Sequence, residues 1–293
     1  MSNLEAANLF SVKGMVFVVT GGGSGIGAMM ARSLDANGAA KVYIIGRRKD
    51  KLEEVATSAS NASIIPIQGD ASSKDSLASI ASHVSSETPF VNAVIANHGS
   101  PGPTHNELPK NPSLSDIREH LWKVPMEEFN DCFMMNSTSV IYCLLAFLPL
   151  LEAGNTHPSS PAVATGVKSQ IIATSSINSF SRKMGQGFAY SGSKAGVVHM
   201  MKCAATFFAP YGIRANVVSP GIYPSDMSAA FLEGKDATKM GSIDHNICPL
   251  TRIGNEEDMA GATLFLCSKA GAYVNGLVIN TDGGRLSIVP ATY

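Results

Sequence analysis

The chain has 293 residues, 45% of them apolar and only 15% charged, with a net charge of −1, so it offers no field for nucleic acid or an anionic membrane. That length buries a full core and suits one large α/β domain or two modest ones. Five scattered cysteines (Cys132, Cys143, Cys203, Cys248, Cys267) without a C-x-x-C pair, seven histidines without H-E-x-x-H spacing and no signal-peptide pattern lead to the expectation of reduced thiols, no metal site and a cytoplasmic location.

Apolar, β-branched runs recur along the chain: MVFVVT (15–20), KVYIIG (41–46), SIIPIQ (63–68), FVNAVIA (90–96), SQIIATS (169–175), IRANVVS (213–219) and GLVIN (276–280). Their apolarity is continuous rather than alternating, which describes strands covered on both faces, and the segments between them are long enough for crossover helices. The expected fold is therefore α/β, a doubly wound parallel sheet of about seven strands with helices on both faces. Pro66 in the third run lacks a ladder donor, which predicts an edge strand.

The first run is followed by GGGSGIGAMMARSLDANGA, with Gly21, Gly25 and Gly27 spaced G-x-x-x-G-x-G between a strand and a helix. Such glycines permit a tight turn, close approach of a pyrophosphate and close packing of the helix, whose unpaired N–H groups favour phosphate. The second run ends in GRRKDK. In an NAD-binding fold a carboxylate about 20 positions beyond the glycines accepts from the ribose hydroxyls. Here Arg47 stands twenty residues after Gly27, with Arg48 beside it. No acid repels a 2′-phosphate and a guanidinium can grip one, so the expected cofactor is NADP(H).

Residues 100–125 and 153–168, rich in Pro, Ser, Asn and Gly, read as surface insertions, the second mobile; the first follows a strand end, where it could line a substrate pocket. Between them FMMNSTSVIYCLLAFLPLL (133–151) is long and apolar, but polar residues near one end and Pro149 near the other leave too short a clean run to span a bilayer. A helix buried in the core or at a subunit contact is expected. Further on, FAYSGSKAG (188–196) places Tyr190 and Lys194 four apart on one helix face, among small residues.

In order, TGGGSGIG (20–27), GDAS (69–72), N-H-G (97–99), Asn136, Ser175–Ser176, Y-S-G-S-K (190–194), P-G (220–221) and T-D-G-G (281–284) resemble the short-chain dehydrogenase/reductase family over roughly residues 10–285. The context ARSLDANGAAKVYIIGRR is similar to the branch holding rhamnolipid-type β-ketoacyl reductases and fungal ketoreductases. The resemblance implies a single Rossmann-type domain over 1–293 with strand order 3-2-1-4-5-6-7. It implies cofactor contacts from Gly21, Ser24, Gly25, Ile26, Gly27, Arg47, Arg48, Asp70 and Ala71 (adenine), Asn97 (ribose), and Ile222 and Ser225 (carboxamide), with Tyr190 and Lys194 at the nicotinamide end.

By the same resemblance Tyr190 is the general acid or base, and Lys194 draws its phenol toward the working pH and meets the nicotinamide ribose. Ser176 bonds the substrate oxygen, and Asn136 holds a water that links Lys194 to solvent. Residues 222–250 resemble a substrate-binding lid with Met227, Phe231, Leu232 and Met240 as an apolar cover, and GLVINTDGG resembles a dimer-axis end, implying a homotetramer or homodimer. Three departures stand out. The family's usual N-N-A-G reads A-N-H-G here, so His98 stands close to the cofactor and reads as a packing variant. Ser24 is not basic, so Arg47 carries the NADP preference. Ser176 precedes Tyr190 by fourteen residues, one more than usual, which leaves Ser175 and Ser179 as alternatives.

The expected function is transfer of hydride from NADPH to a ketone, β-ketoacyl, polyketide-like or otherwise apolar, in secondary metabolism. The alternatives are an oxidising alcohol dehydrogenase and use of the fold for a non-redox cyclisation or cofactor sensing. The expected partner is a small carbonyl or alcohol substrate, with no nucleic acid and no membrane.

Overall fold

The seven apolar runs become seven parallel strands in the order β3-β2-β1-β4-β5-β6-β7. The computed structural model describes residues 4–105, 107–183, 186–232 and 236–292. In chain order the elements are α1 (Ala6–Leu9), β1 (Val16–Thr20), α2 (Gly25–Ala36), β2 (Lys41–Gly46), α3 (Lys49–Thr57), β3 (Ile64–Gln68), α4 (Lys74–Glu87) and β4 (Ala93–Ala96). Then come α5 (Leu114–Trp122), α6 (Met126–Phe133), α7 (Ser139–Thr156), α8 (Pro161–Thr165) and β5 (Gln170–Thr174). Last are α9 (Phe188–Phe207), β6 (Arg214–Pro220), α10 (Ala229–Leu232), α11 (Glu256–Cys267) and β7 (Val278–Thr281).

Successive strand residues face opposite sides of the sheet, so β1 feeds two cores. Val16 and Val18 join Leu144, Phe147, Val197 and Met201 beneath α7 and α9. Phe17 and Val19 join Met30, Leu34, Met259 and Leu266 beneath α2 and α11. Each such side chain stabilises the fold by roughly 1.5–3 kcal/mol on burial. β3 lies at the edge, as Pro66 requires, and its burial alternates where β1, β4, β5 and β6 are buried throughout.

A buried cation closes the far end of the sheet. Arg214 on β6 donates to the carbonyls of Lys168, Gly271, Val274 and, at 3.4 Å, Leu266 in the last turn of α11. Cations at a helix C-terminus answer its unpaired carbonyls. Burial lowers this guanidinium to about 10, which leaves it charged at neutral pH.

One segment differs from the sequence reading. Residues 153–168 were expected to form a mobile surface insertion; instead they hold the end of α7, all of α8, and buried Gly154, Ser160, Ala162 and Val167. Ser160 Oγ donates to the Gly154 carbonyl and accepts from Asn92 Nδ2 at 3.0 Å, while Asn92 Oδ1 accepts from Val16 N. Asn155 ties Ser169 N to the Gly212 carbonyl. Its polar composition serves as internal fastening. Residues 100–125 do lie largely at the surface, and they fold partly into α5 behind a Ser113–Asp116 capping box.

The apolar 133–151 stretch is helical and interrupted by a π turn over Met134–Thr138. By length and composition Met126–Thr156 could cross a membrane, but one face packs under the sheet through Val140, Cys143, Leu144, Phe147 and Leu151. Phe129, Met134, Tyr142 and Leu145 are exposed on the other.

Candidate active site

A cleft of about 750 Å³ runs across the C-terminal ends of the strands, where parallel sheets gather ligands. It is lined by Gly21, Ser24, Gly25, Ile26, Arg47, Arg48, Asp70, Ala71, Asn97, Ser176, Tyr190, Lys194, Ile222 and Ser225. Of the expected residues only Gly27 and Asn136 stand behind its surface.

The turn after β1 fits a phosphate-bearing cofactor. Gly21 holds φ +65°, and a Cβ at Gly27 would stand 2.3 Å from the Gly21 carbonyl oxygen, so no side chain fits there. Ser24, the N-cap of α2, makes no side-chain cap, leaving the first N–H groups of that helix facing the cleft as anion donors. Asn97 Nδ2 donates to the Gly21 carbonyl at 3.3 Å and steadies the turn from β4. Asp70 is held below the usual carboxylate range by hydrogen bonds from the Ser72 hydroxyl and N–H.

The two arginines differ. Arg47 is exposed at the end of β2 and makes no ion pair among the described residues. Arg48 Nη2 donates to Asp226 Oδ2 at 2.8 Å and to Ser24 Oγ at 3.1 Å. Asp226, a residue sequence reasoning passed over, therefore fastens the 222–228 segment to the glycine turn. No local signal marks it, because its partner lies 178 positions away.

His98 is a half-buried pin at the wall of the cleft. Its Nδ1 lies 2.6 Å from Thr20 Oγ1 and its Nε2 2.6 Å from Ser139 Oγ. Ser139 spends its proton on the Met135 carbonyl, so Nε2–H donates to Ser139 and Thr20 donates to Nδ1. Burial, with the Lys194 charge nearby, lowers this imidazole to about 4, so it is neutral at physiological pH. Packing explains it fully.

At the catalytic end α9 carries Tyr190 and Lys194, both buried. Lys194 Nζ donates to the Thr174 carbonyl at 2.9 Å and lies 5.9 Å from the centre of the Tyr190 ring. Burial lowers the ammonium to about 8. Burial raises the Tyr190 phenol to about 12, opposed by a hydrogen bond from Ser176.

The three serines separate cleanly. Ser176 meets Tyr190. Ser175 Oγ donates to the Lys194 carbonyl at 2.8 Å, and Ser179 Oγ donates to the Ser176 carbonyl. Geometry thus gives Ser176 the position facing the phenol, despite the extra loop residue; Met184 and Gly185 of that loop lie outside the described residues.

Asn136, fully buried in the π turn, is a hub. Its Nδ2 donates to the Ser100 carbonyl at 2.9 Å and to Ser193 Oγ at 3.0 Å, and its Oδ1 accepts from Ser100 N at 2.8 Å. Its amide hydrogens are thus spent on protein, and any water it holds for Lys194 must be the donor. In the lid, Met227 is partly exposed and Met240 largely so, and the side chain of Phe231 lies outside the described residues. Among the described residues, the 100–125 segment contributes no lining to the cleft, though its root at Ser100 bonds the hub.

Comparison with known proteins agrees with this arrangement. The family described as enoyl-(acyl carrier protein) reductase matches residues 21–285. The chain is 45% identical over 292 residues to short-chain dehydrogenase/reductase PhomF of Diaporthe leptostromiformis, covering 99% of this chain and 98% of that one. It is 28% identical to the rhamnolipids biosynthesis 3-oxoacyl-acyl-carrier-protein reductase of Pseudomonas aeruginosa, covering 94% and 97%. Among solved structures it is similar to the Pseudomonas aeruginosa RhlG/NADP active-site complex, with a TM-score of 0.75 and 27% identity over 94% of this chain and 97% of the other.

Proposed function

This chain belongs to the short-chain dehydrogenase/reductase family, oxidoreductases that act between hydroxyl and carbonyl groups, and on that premise we propose that it uses NADPH to reduce the ketone of an apolar substrate, β-ketoacyl or polyketide-like, in secondary metabolism. The observation that carries the reading is the cleft itself, which brings Ser176, Tyr190 and Lys194 to one end and the glycine turn with Arg47 to the other. Tyr190 is the group placed to give its proton to a carbonyl oxygen.

The cofactor supplies hydride when bound; the chain supplies protons and position. The unpaired N–H groups at the start of α2 would hold the pyrophosphate, and Arg47 the 2′-phosphate, while Arg48 holds Asp226. Ser176 orients the substrate oxygen next to Tyr190 Oη. As that oxygen gains negative charge, the phenol transfers its proton and becomes tyrosinate. The Lys194 ammonium, protonated below about 8, offsets the charge left on the ring and returns a proton to it. Asn136 fixes the turn from which that proton is resupplied.

Exposed Phe129, Met134, Tyr142 and Leu145 on α6 and α7 support assembly into a homotetramer or homodimer, and the absence of disulfides among the described residues supports a cytoplasmic setting. Residues 222–250 act as the lid over the substrate. NADPH and NADH titrations, followed by NADPH absorbance with a panel of ketones, test the reading. A clear NADPH preference with ketone-dependent oxidation is expected. Equal affinity for the two nucleotides overturns the cofactor assignment, and no oxidation with any ketone overturns the reductase.

A further inference from the structure

One cation in the cleft has no part in the chemistry above. Arg285 follows the Gly283–Gly284 turn after β7 and lines the same cleft as Tyr190 and Lys194. It belongs to the opposite end from Arg47 and Arg48. β2 and β7 are five strand spacings apart in the sheet, about 24 Å. Three contacts place its surroundings at the substrate side. Gly221 N donates to the Thr281 carbonyl, Arg182 N donates to the Pro290 carbonyl, and Ser181 bridges Ala291. The chain from Arg285 onward therefore packs between the P-G turn at 220–221 and the segment that follows Ser176.

Its charge is unanswered. Arg285 makes no ion pair among the described residues, and its Nη1 donates only to the Ile247 carbonyl, at the far end of the lid segment. The nearest carboxylate in sequence, Asp282, spends both oxygens on Gly284 N and Leu286 N. The acids that do line the cleft, Asp70 and Asp226, are bonded at the other end, to Ser72 and to Arg48. A guanidinium keeps five donors in a planar fork, and one bond to a carbonyl leaves most of them for a ligand.

We propose that Arg285 receives an anionic oxygen group of the substrate, a carboxylate or a phosphate, so that the ketone reduced here is borne on a molecule with an apolar body and a negative end. This deepens the reductase reading and rests on the cleft being its substrate site. The anion would fix which end of the substrate faces the lid, and so set the carbonyl against Tyr190 from one side.

The test uses probes that undergo no reduction, so that it stands apart from the chemistry. Octanoate, octyl phosphate and octanol share one chain length and differ in the head group. Calorimetric titration into the full chain saturated with NADP⁺ should show one or both anions bound about 10- to 100-fold more tightly than octanol, the scale of a charge-assisted pair. Which anion is favoured identifies the head group. Arg285→Gln should abolish that advantage and leave octanol affinity unchanged. Arg285→Lys should retain part of it, which a purely structural role for the arginine would not do. Equal binding of the three probes, binding of none, or an anion advantage that survives Arg285→Gln overturns the proposal. Failure of the wild-type chain to oxidise NADPH with any ketone overturns the reductase reading instead, whatever the probes show.

Discussion

Lys194 Nζ donates to the Thr174 carbonyl at 2.9 Å, so the catalytic ammonium is anchored to the end of β5 rather than resting on the phenol it serves. Its charge is thereby kept in a dry place where it titrates at about 8. Ketone reduction should accordingly decline as pH rises through about 8, where the ammonium is lost while Tyr190 remains protonated. Tyr190→Phe should lower kcat by about a thousandfold, within the range of general acid catalysis, with nucleotide affinity little changed. A pH–kcat/KM profile with no limb near 8 counts against this role for Lys194.

Arg47 and Asp226 should act in opposite directions on nucleotide choice. Arg47→Ala should weaken NADPH about tenfold and leave NADH unaffected, since only NADPH carries the group that a guanidinium pairs with. Asp226→Asn frees Arg48 from a carboxylate and should tighten NADPH by about threefold, the scale of an exposed ion pair. Fluorescence titration of both nucleotides against both variants checks this, and an equal change for NADH contradicts it.

His98 sets a pH dependence of folding. Its folded pKa of about 4 lies below the ordinary 6.5, so the unfolded chain takes up the proton first. Stability from this group is full above about 6.5 and is lost as pH falls toward 4. Between pH 7 and pH 5 it should cost about 2 kcal/mol in denaturant unfolding. His98→Gln should flatten that slope; an unchanged slope shows that other groups carry it.

Gly27→Ala presses a methyl to 2.3 Å from the Gly21 carbonyl oxygen, with Asn97 Nδ2 at 2.5 Å. Overpacking against backbone costs about 1–3 kcal/mol and should displace the turn. A drop in melting temperature together with loss of NADPH binding is expected from calorimetry, and a variant that melts and binds normally refutes the close approach.

The fold was largely legible because its signals are local. Unbroken β-branched runs such as VFVVT can only be strands covered on both faces, and Pro66 marked its own edge. The glycine turn, Tyr190 and Lys194 were legible because their spacing is their chemistry. What stayed hidden depends on distance in sequence or on burial. Asp226 meets Arg48 across 178 positions, and the phenol of Tyr190 is governed by the water excluded around it, which no spacing records. The Ser160–Asn92 contact made an ordered brace of a segment whose composition reads as loop. The choice among Ser175, Ser176 and Ser179 required the direction of each hydroxyl.

Asn136 grips Ser100 through that residue's main-chain N–H and carbonyl alone. Those two groups are present with every side chain except proline's, which lacks the N–H, so the grip is indifferent to any other substitution there. The catalytic floor is therefore insulated from the exposed segment that begins at the same point. Residues beyond it can change length, charge or shape while the proton-handling residues beneath keep their places, so variation along that exposed stretch leaves the chemistry untouched.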